Sequence, residues 1–299
     1  MMPAGLKRLA QRGLVGFALA LVLFIGGSAI FAPVLTPYDP TEVNLADKFA
    51  EPSAEHLLGC DHLGRDVVTR LLYGARTSLG SVMVIAGVIL LLGFSVGATA
   101  GYVGGAVDST LMRICDVFLT FPTFILAMFM IGVLGTGIVN VIIAIALTHW
   151  AWYARIIRSF VLSLKNREYV LAARVAGTGR FMTVARHVLP PVFAQLAILA
   201  TLDIGHMMMH VSGLSFLGLG VTPPMAEWGV MIADARQFVW THPELIMYPG
   251  LAIFLTVMAF NLLGDALRDA LDPNTADHHV VDHAVSDPAP AHDGLLEAH

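Results

Sequence analysis

Charge is scarce in this chain. Lys, Arg, Asp and Glu make up 13% of its 299 residues, about half the share found in ordinary soluble domains. The two cysteines, Cys60 and Cys115, stand far apart and in no Cys-x-x-Cys pair. They read as free thiols, with neither a disulfide framework nor a cysteine zinc site implied. No cluster of Lys and Arg and no nucleic-acid motif is present, so no nucleic-acid partner is expected. A Gly-x-x-x-x-Gly-Lys-Ser/Thr phosphate loop is also missing, and no Gly-Lys pair occurs anywhere. If ATP powers this protein, another polypeptide must bind it.

Apolar residues fill the space that charge leaves. They are 57% of the chain, the mean hydropathy is +0.74, and they come in long blocks rather than short alternations. Blocks near 20 residues match the thickness of a bilayer crossed by a helix. The expectation is an all-α polytopic membrane protein with six spans, near 14–35, 79–103, 111–134, 138–157, 191–214 and 246–267. The first span follows Lys7, Arg8 and Arg12 and could be a cleaved signal. Its apolar run exceeds the usual signal core, which favours an anchor.

Basic residues give the orientation. With the N-terminal residues 1–13 inside, Arg113, Arg268 and the group Arg155, Arg158, Lys165, Arg167, Arg174, Arg180 and Arg186 all lie in the cytoplasm. Both termini are then cytoplasmic. Residues 36–78 form one long extracytoplasmic loop that opens in the helix-breaking TPYDP, ends in the more helical RDVVTRLLYGARTSL and is read as a solvated cap, and 79–272 carry the remaining five helices. Residues 273–299 lack an apolar period and read as a disordered tail. The tail holds His278, His279, His283, His292 and His299, a weak metal holder or a plain polar tail. The formal net charge of −5 owes much to the acids of this tail.

Between spans four and five, residues 163–188 include EYVLAAR, then Gly177 and Gly179, with Pro190 and Pro191 following. This pattern predicts a helix, a glycine-hinged turn, and a second helix stopped by the prolines. Such a projecting helix suits docking into a partner's groove or lying amphipathically at the membrane surface.

Glu168, Ala172, Ala173, Gly177, Leu189 and Pro190 resemble the EAA motif of ABC importer permeases. The resemblance implies a coupling helix seated in a separate ATPase subunit. Pro191 departs from the asparagine common in that family. Three further blocks, Leu58–Ser81, Gly104–Pro122 and Leu214–Ile232, resemble the dipeptide, oligopeptide and nickel permeases, and the match is nearest to the nickel-import permeases of the C type. The family implies a type I ABC importer permease fold and no cofactor in this chain. ATP-Mg would sit in two ATPase partners, beside a homologous second permease and an extracytoplasmic binding protein. Nickel is the implied substrate and the plasma (inner) membrane the implied location.

The stretch DIGHMMMH, Asp203 to His210, keeps an acid and two histidines inside the fifth span. At 3.6 residues per turn Asp203, His206, Met207 and His210 share a sector of about 100°, with Met208 and Met209 elsewhere. An acid at mid-membrane costs about 2.5–3.5 kcal/mol on insertion scales and should face a cavity or partner. Two readings stay open: interhelical polar glue, or a low-affinity transit path for a divalent first-row metal. A transit site must release its ion, so few ligands at a time are expected. His149, read at the cytoplasmic end of span four beside Trp150, Trp152 and Tyr153, is a weaker path candidate within an aromatic belt. Asp116 is expected near the inner interface. Glu227 and Trp228, in the outer loop, either shape a binding-protein contact or serve the loop's own structure. Competing functions are a peptide permease, in which the histidines are incidental, and a proton-coupled secondary transporter. The coupling segment and the lack of an inverted repeat argue against the last.

Overall fold

The computed structural model describes residues 4–271, so the tail histidines lie outside the described residues. Ten α-helices carry the fold among these residues: α1 (Ala4–Leu35), α2 (Val67–Val103), α3 (Gly105–Leu119), α4 (Thr123–Leu134), α5 (Ile138–Lys165), α6 (Glu168–Val175), α7 (Arg180–Thr183), α8 (Leu189–Phe216), α9 (Trp228–Ala235) and α10 (Glu244–Leu271). No strand is present among the described residues, only an isolated bridge between Cys60 and Asp66. Five helices are long and apolar enough to cross a membrane, and six spans result if α3 and α4 are one broken crossing.

The third span is therefore not the straight helix expected over 111–134. α3 and α4 meet at 83°. Pro122 sits at the break and serves as the cap residue of α4. Proline lacks the N–H that would continue the ladder and pushes the residue before it away from helical angles. α4 alone, at about 18 Å, is too short for the hydrocarbon core.

Two other boundaries move. α2 starts at Val67, not 79, because Asp66 accepts hydrogen bonds from the Thr69 N–H and hydroxyl, both at 2.7 Å. At about 55 Å this helix outreaches the bilayer and its first turns join the cap. The fifth span starts at Phe181, not 191. Pro190 and Pro191 do not stop it, because a π-turn over Val184–Val188 leads directly into α8. The carbonyls four residues before the two prolines belong to Arg186 and His187, inside that widened turn, where the clash of a normal helix is relieved.

A seam of small residues fixes the bundle. Gly93, Gly97 and Gly101 recur every four residues along α2 and face α5. A Cβ at Gly93 would stand 2.6 Å from Tyr153 Cβ, one at Gly101 would stand 2.9 Å from the Arg158 carbonyl, and one at Gly97 would overlap the Ala154 carbonyl. Backbones approach this closely only where side chains are absent, the usual device for packing helices in lipid. Ion pairs of Arg155 with Asp116 and of Arg158 with Asp108 tie α3 to α5 at one end of the bundle. Lys165 Nζ donates to the Gly101 carbonyl at 2.7 Å at the same end.

The opposite end is the cap. Arg65 pairs with Asp61 at 2.7 Å and with Asp234 at 3.1 Å, and Arg70 donates to the carbonyls of Pro40 and Pro224. Both arginines are buried. The cap is thus a packed polar core around the head of α2 as well as a solvated loop.

Candidate functional site

Asp203 lies near the middle of α8 and His149 near the middle of α5. Because α5 runs on to Lys165, His149 is at mid-helix, not at the cytoplasmic end. It sits level with the acid. His149 Nε2 is 3.0 Å from Asp203 Oδ2, and the Tyr153 hydroxyl donates to the same oxygen at 3.0 Å. In the tautomer that donates from Nε2 to this carboxylate, His149 keeps Nδ1 as an acceptor. The second carboxylate oxygen, Oδ1, accepts no hydrogen bond from the described residues and faces His206, whose Nδ1 is 3.6 Å away. The His210 ring lies 6.3 Å from that of His149 and 5.9 Å from that of Phe124. The acid therefore has one histidine from each helix at its two oxygens, with His210 beside His149.

Exposure divides this group. Asp203 is buried, whereas the His206 side chain is 77% exposed. Met207 and Met208 are buried and Met209 is exposed. The sector that DIGHMMMH shares on a helical wheel crosses the edge between the packed face of α8 and its open face. Met207 falls on the packed side and His206 on the open side. Asp203 stands at the edge, clamped from the packed side with one oxygen turned outward.

The arrangement is not a closed chelate. Among the described residues, no three His, Cys, Asp or Glu side chains converge closely enough to hold a metal ion. A carboxylate oxygen and imidazole nitrogens suit divalent first-row metals, and here they can act one or two at a time. Tyr153, which the sequence reading placed in an aromatic belt, is a direct partner of the acid. Its position follows from Gly93, against which its Cβ packs. The Gly-x-x-x-Gly-x-x-x-Gly spacing in α2 was the available signal for that contact.

At the end that carries the ion pairs, α6 stands almost free. Val170 is fully buried and anchors it, while Leu171, Val175 and, beyond the turn, Phe181 are exposed, Val175 by 89%. Glu168 opens the helix, and Ala172 and Ala173 lie on it. Gly177 adopts φ +85° and its N–H returns to the Arg174 carbonyl at 3.0 Å, a left-handed helix stop that favours glycine. Leu189 and Pro190 start α8. A cavity of ≈ 990 Å³ opens beside α6, lined in part by Arg167, Glu168, Tyr169 and Gln195.

Glu227 and Trp228 are buried rather than displayed. Glu227 caps α9 through Val230 N–H at 3.0 Å and accepts from the Ser78 hydroxyl at 2.9 Å. The Trp228 indole N–H donates to the Leu71 carbonyl at 3.1 Å. These side chains hold α9 against α2 and α8.

A polytopic helical bundle with a polar group midway along two spanning helices and a free-standing helix at one end fits a membrane permease. The family described as binding-protein-dependent transport system inner membrane component matches residues 89–277. The N-terminal transmembrane domain of oligopeptide transport permease C matches residues 5–52. The chain belongs to the first of these families, and it is an ABC importer permease of the nickel and peptide branch. It is 54% identical over 271 residues to the nickel transport system permease protein NikC of Escherichia coli (strain K12), covering 91% of this chain and 98% of that protein. To the metal-staphylopine import system permease protein CntC of Staphylococcus aureus (strain NCTC 8325 / PS 47) it is 43% identical, covering 90% and 93%. To the dipeptide transport system permease protein DppC of Alkalihalophilus pseudofirmus it is 39% identical, covering 89% and 88%.

Proposed function

We propose that this chain forms half of the translocation path for nickel or a nickel chelate in an ATP-driven importer of the inner membrane. The observation that carries the reading is the clamped carboxylate: Tyr153 and His149 occupy one oxygen of Asp203 and leave the other turned toward the exposed His206. An ion on the open face of α8 would meet Asp203 Oδ1, His206 and then His210 or the free nitrogen of His149. Few protein ligands at once keep affinity low, and release then needs no large rearrangement. The identity to permeases named for nickel and for metal-staphylopine supports a metal cargo.

The open face of α8 is where a homologous second permease would complete the path. The cap would face outward, with both chain ends in the cytoplasm, and would receive an extracytoplasmic binding protein. α6 would sit in one of two ATPase subunits, where ATP-Mg is bound and hydrolysed. Its exposed Leu171 and Val175 supply apolar anchors for a groove. Closure of the ATPases would move α6, and the Gly177 turn would pass that motion to α8 and Asp203.

The test is ATP-dependent uptake by the reconstituted complex, nickel against a dipeptide. Uptake of nickel supports the reading. Dipeptide uptake without nickel uptake would make the chain a peptide permease and its histidines structural.

A further inference from the structure

An apolar groove of ≈ 400 Å³ runs between α1, α2 and α10, with Val22, Gly26, Gly80, Met83 and Phe260 among its walls and Arg76 at its mouth. Its volume lies within the range of small-molecule sites. Gly26 and Gly80 leave it open, since a Cβ at either would meet nothing within 4 Å.

Arg76 is exposed. Unlike Arg65 and Arg70 earlier in the chain, it makes no hydrogen bond or ion pair with any described residue. Its depth is set by the helix that carries it. Arg76 and Gly101 lie roughly 25 positions apart on α2, about 38 Å along the axis. Gly101 is at the level of Lys165 and Arg158, the charged residues that mark the far interface. A bilayer has a hydrocarbon core of about 30 Å and a total of about 40–45 Å with its headgroups. Arg76 therefore stands at phosphate depth in the leaflet on the cap side, and the groove below it lies at acyl-chain depth.

We propose that this groove binds one glycerophospholipid, its phosphate paired with Arg76 and an acyl chain lying between α1 and α10. The charge fits: an unpaired guanidinium binds a phosphate by paired N–H donors. The walls fit too, since below Arg76 they are almost wholly apolar. The occupant would seal α1 to the bundle, because among the described residues α1 packs mainly on α2 and α10.

The experiment measures phospholipid retained per chain, by mass spectrometry, on the complex purified in mild detergent. Arg76→Gln is expected to lower retention roughly five-fold, the weight of one basic residue near a lipid surface. Gly80→Phe, which fills the groove, is expected to lower it as far, and Arg76→Lys is expected to keep most of it. Unchanged retention in both Arg76→Gln and Gly80→Phe would overturn the proposal. So would a cross-link from a cysteine at Gly26 to the second permease, which would put protein in the groove. If the variants do not assemble, the wild-type complex is titrated with phosphatidylglycerol and with diacylglycerol. A rise in melting temperature with the phosphate-bearing lipid alone supports the site, and equal responses overturn it.

Discussion

The Tyr153 hydroxyl donates a 3.0 Å hydrogen bond to Oδ2 of Asp203 across the contact between α5 and α8. The same oxygen receives His149 Nε2. Two donors on one oxygen fix the carboxylate plane and aim the other oxygen at the open face of α8. Tyr153 is itself fixed by the glycine seam, so packing of α2 on α5 determines where the acid points.

Tyr153→Phe removes one donor and keeps the packing. A hydrogen bond to a charged group contributes about 1.5–3 kcal/mol. Nickel uptake by the reconstituted complex is expected to fall about tenfold or more, with ATP hydrolysis unchanged. Equal uptake with the phenylalanine variant would remove Tyr153 from the account as a positioning residue.

The seam separates two glycines of the same helix. A Cβ at Gly97 overlaps the Ala154 carbonyl, whereas one at Gly87 meets nothing within 4 Å. Gly97→Ala is expected to destabilise by about 1–3 kcal/mol, as overpacking does. Gly87→Ala should be neutral or stabilise by roughly 0.5–1 kcal/mol through helix propensity. Thermal melting of the two purified variants in the same detergent checks the contrast.

Coupling is expected to depend on the exposed apolar side of α6. Val175→Asp and Leu171→Asp place charge where an apolar anchor would enter a groove, each at a cost of about 2 kcal/mol or more in association, near 30-fold. Co-purification of the ATPase subunits should fall accordingly. Folding should not, because Val170, the one buried residue of α6, is untouched. Retained ATPase association in both variants would place the coupling contact elsewhere.

Cys60 offers a test of the cap. Burial pushes its thiol up to about 11, and the nearby Asp66, Asp47 and Asp61 push the same way. The thiolate fraction should stay small until the pH approaches that value, instead of rising through the usual range near 8.5. Alkylation by a maleimide in the folded protein should therefore be slow at pH 9. After unfolding it should become fast at the same pH. Rapid labelling of the folded protein at pH 8 would show the cap to be looser than its buried arginines imply.

Much of this architecture was legible from local signals. The apolar blocks marked the spans, and the glycines after EYVLAAR marked the turn that Gly177 makes. The break of the third span was less visible, because Pro122 is flanked on both sides by short apolar stretches, although Asp108, Arg113 and Asp116 lie only before it. Pro190 and Pro191 misled in the other direction, since a π-turn that absorbs two prolines leaves no compositional trace. At the site, periodicity grouped Asp203 with His206 and His210 but could not say where the packed face ended. That edge is set by α5, more than 50 positions away in sequence for His149 and about 50 for Tyr153. The partnership of these residues with Asp203 is tertiary, and only the spacing of Gly93, Gly97 and Gly101 hinted at it.

The most direct measurement is nickel uptake by the reconstituted complex carrying Asp203→Asn, compared with wild type, with binding-protein-stimulated ATP hydrolysis recorded in parallel. Asparagine keeps the shape and removes the charge that would meet the ion. Uptake lower by about tenfold or more with ATP hydrolysis retained is expected, since a lost charge-assisted contact is about twice as strong as a neutral one. Uptake of unchanged rate and metal selectivity would contradict the account and leave Asp203, His149 and Tyr153 as polar glue between two helices.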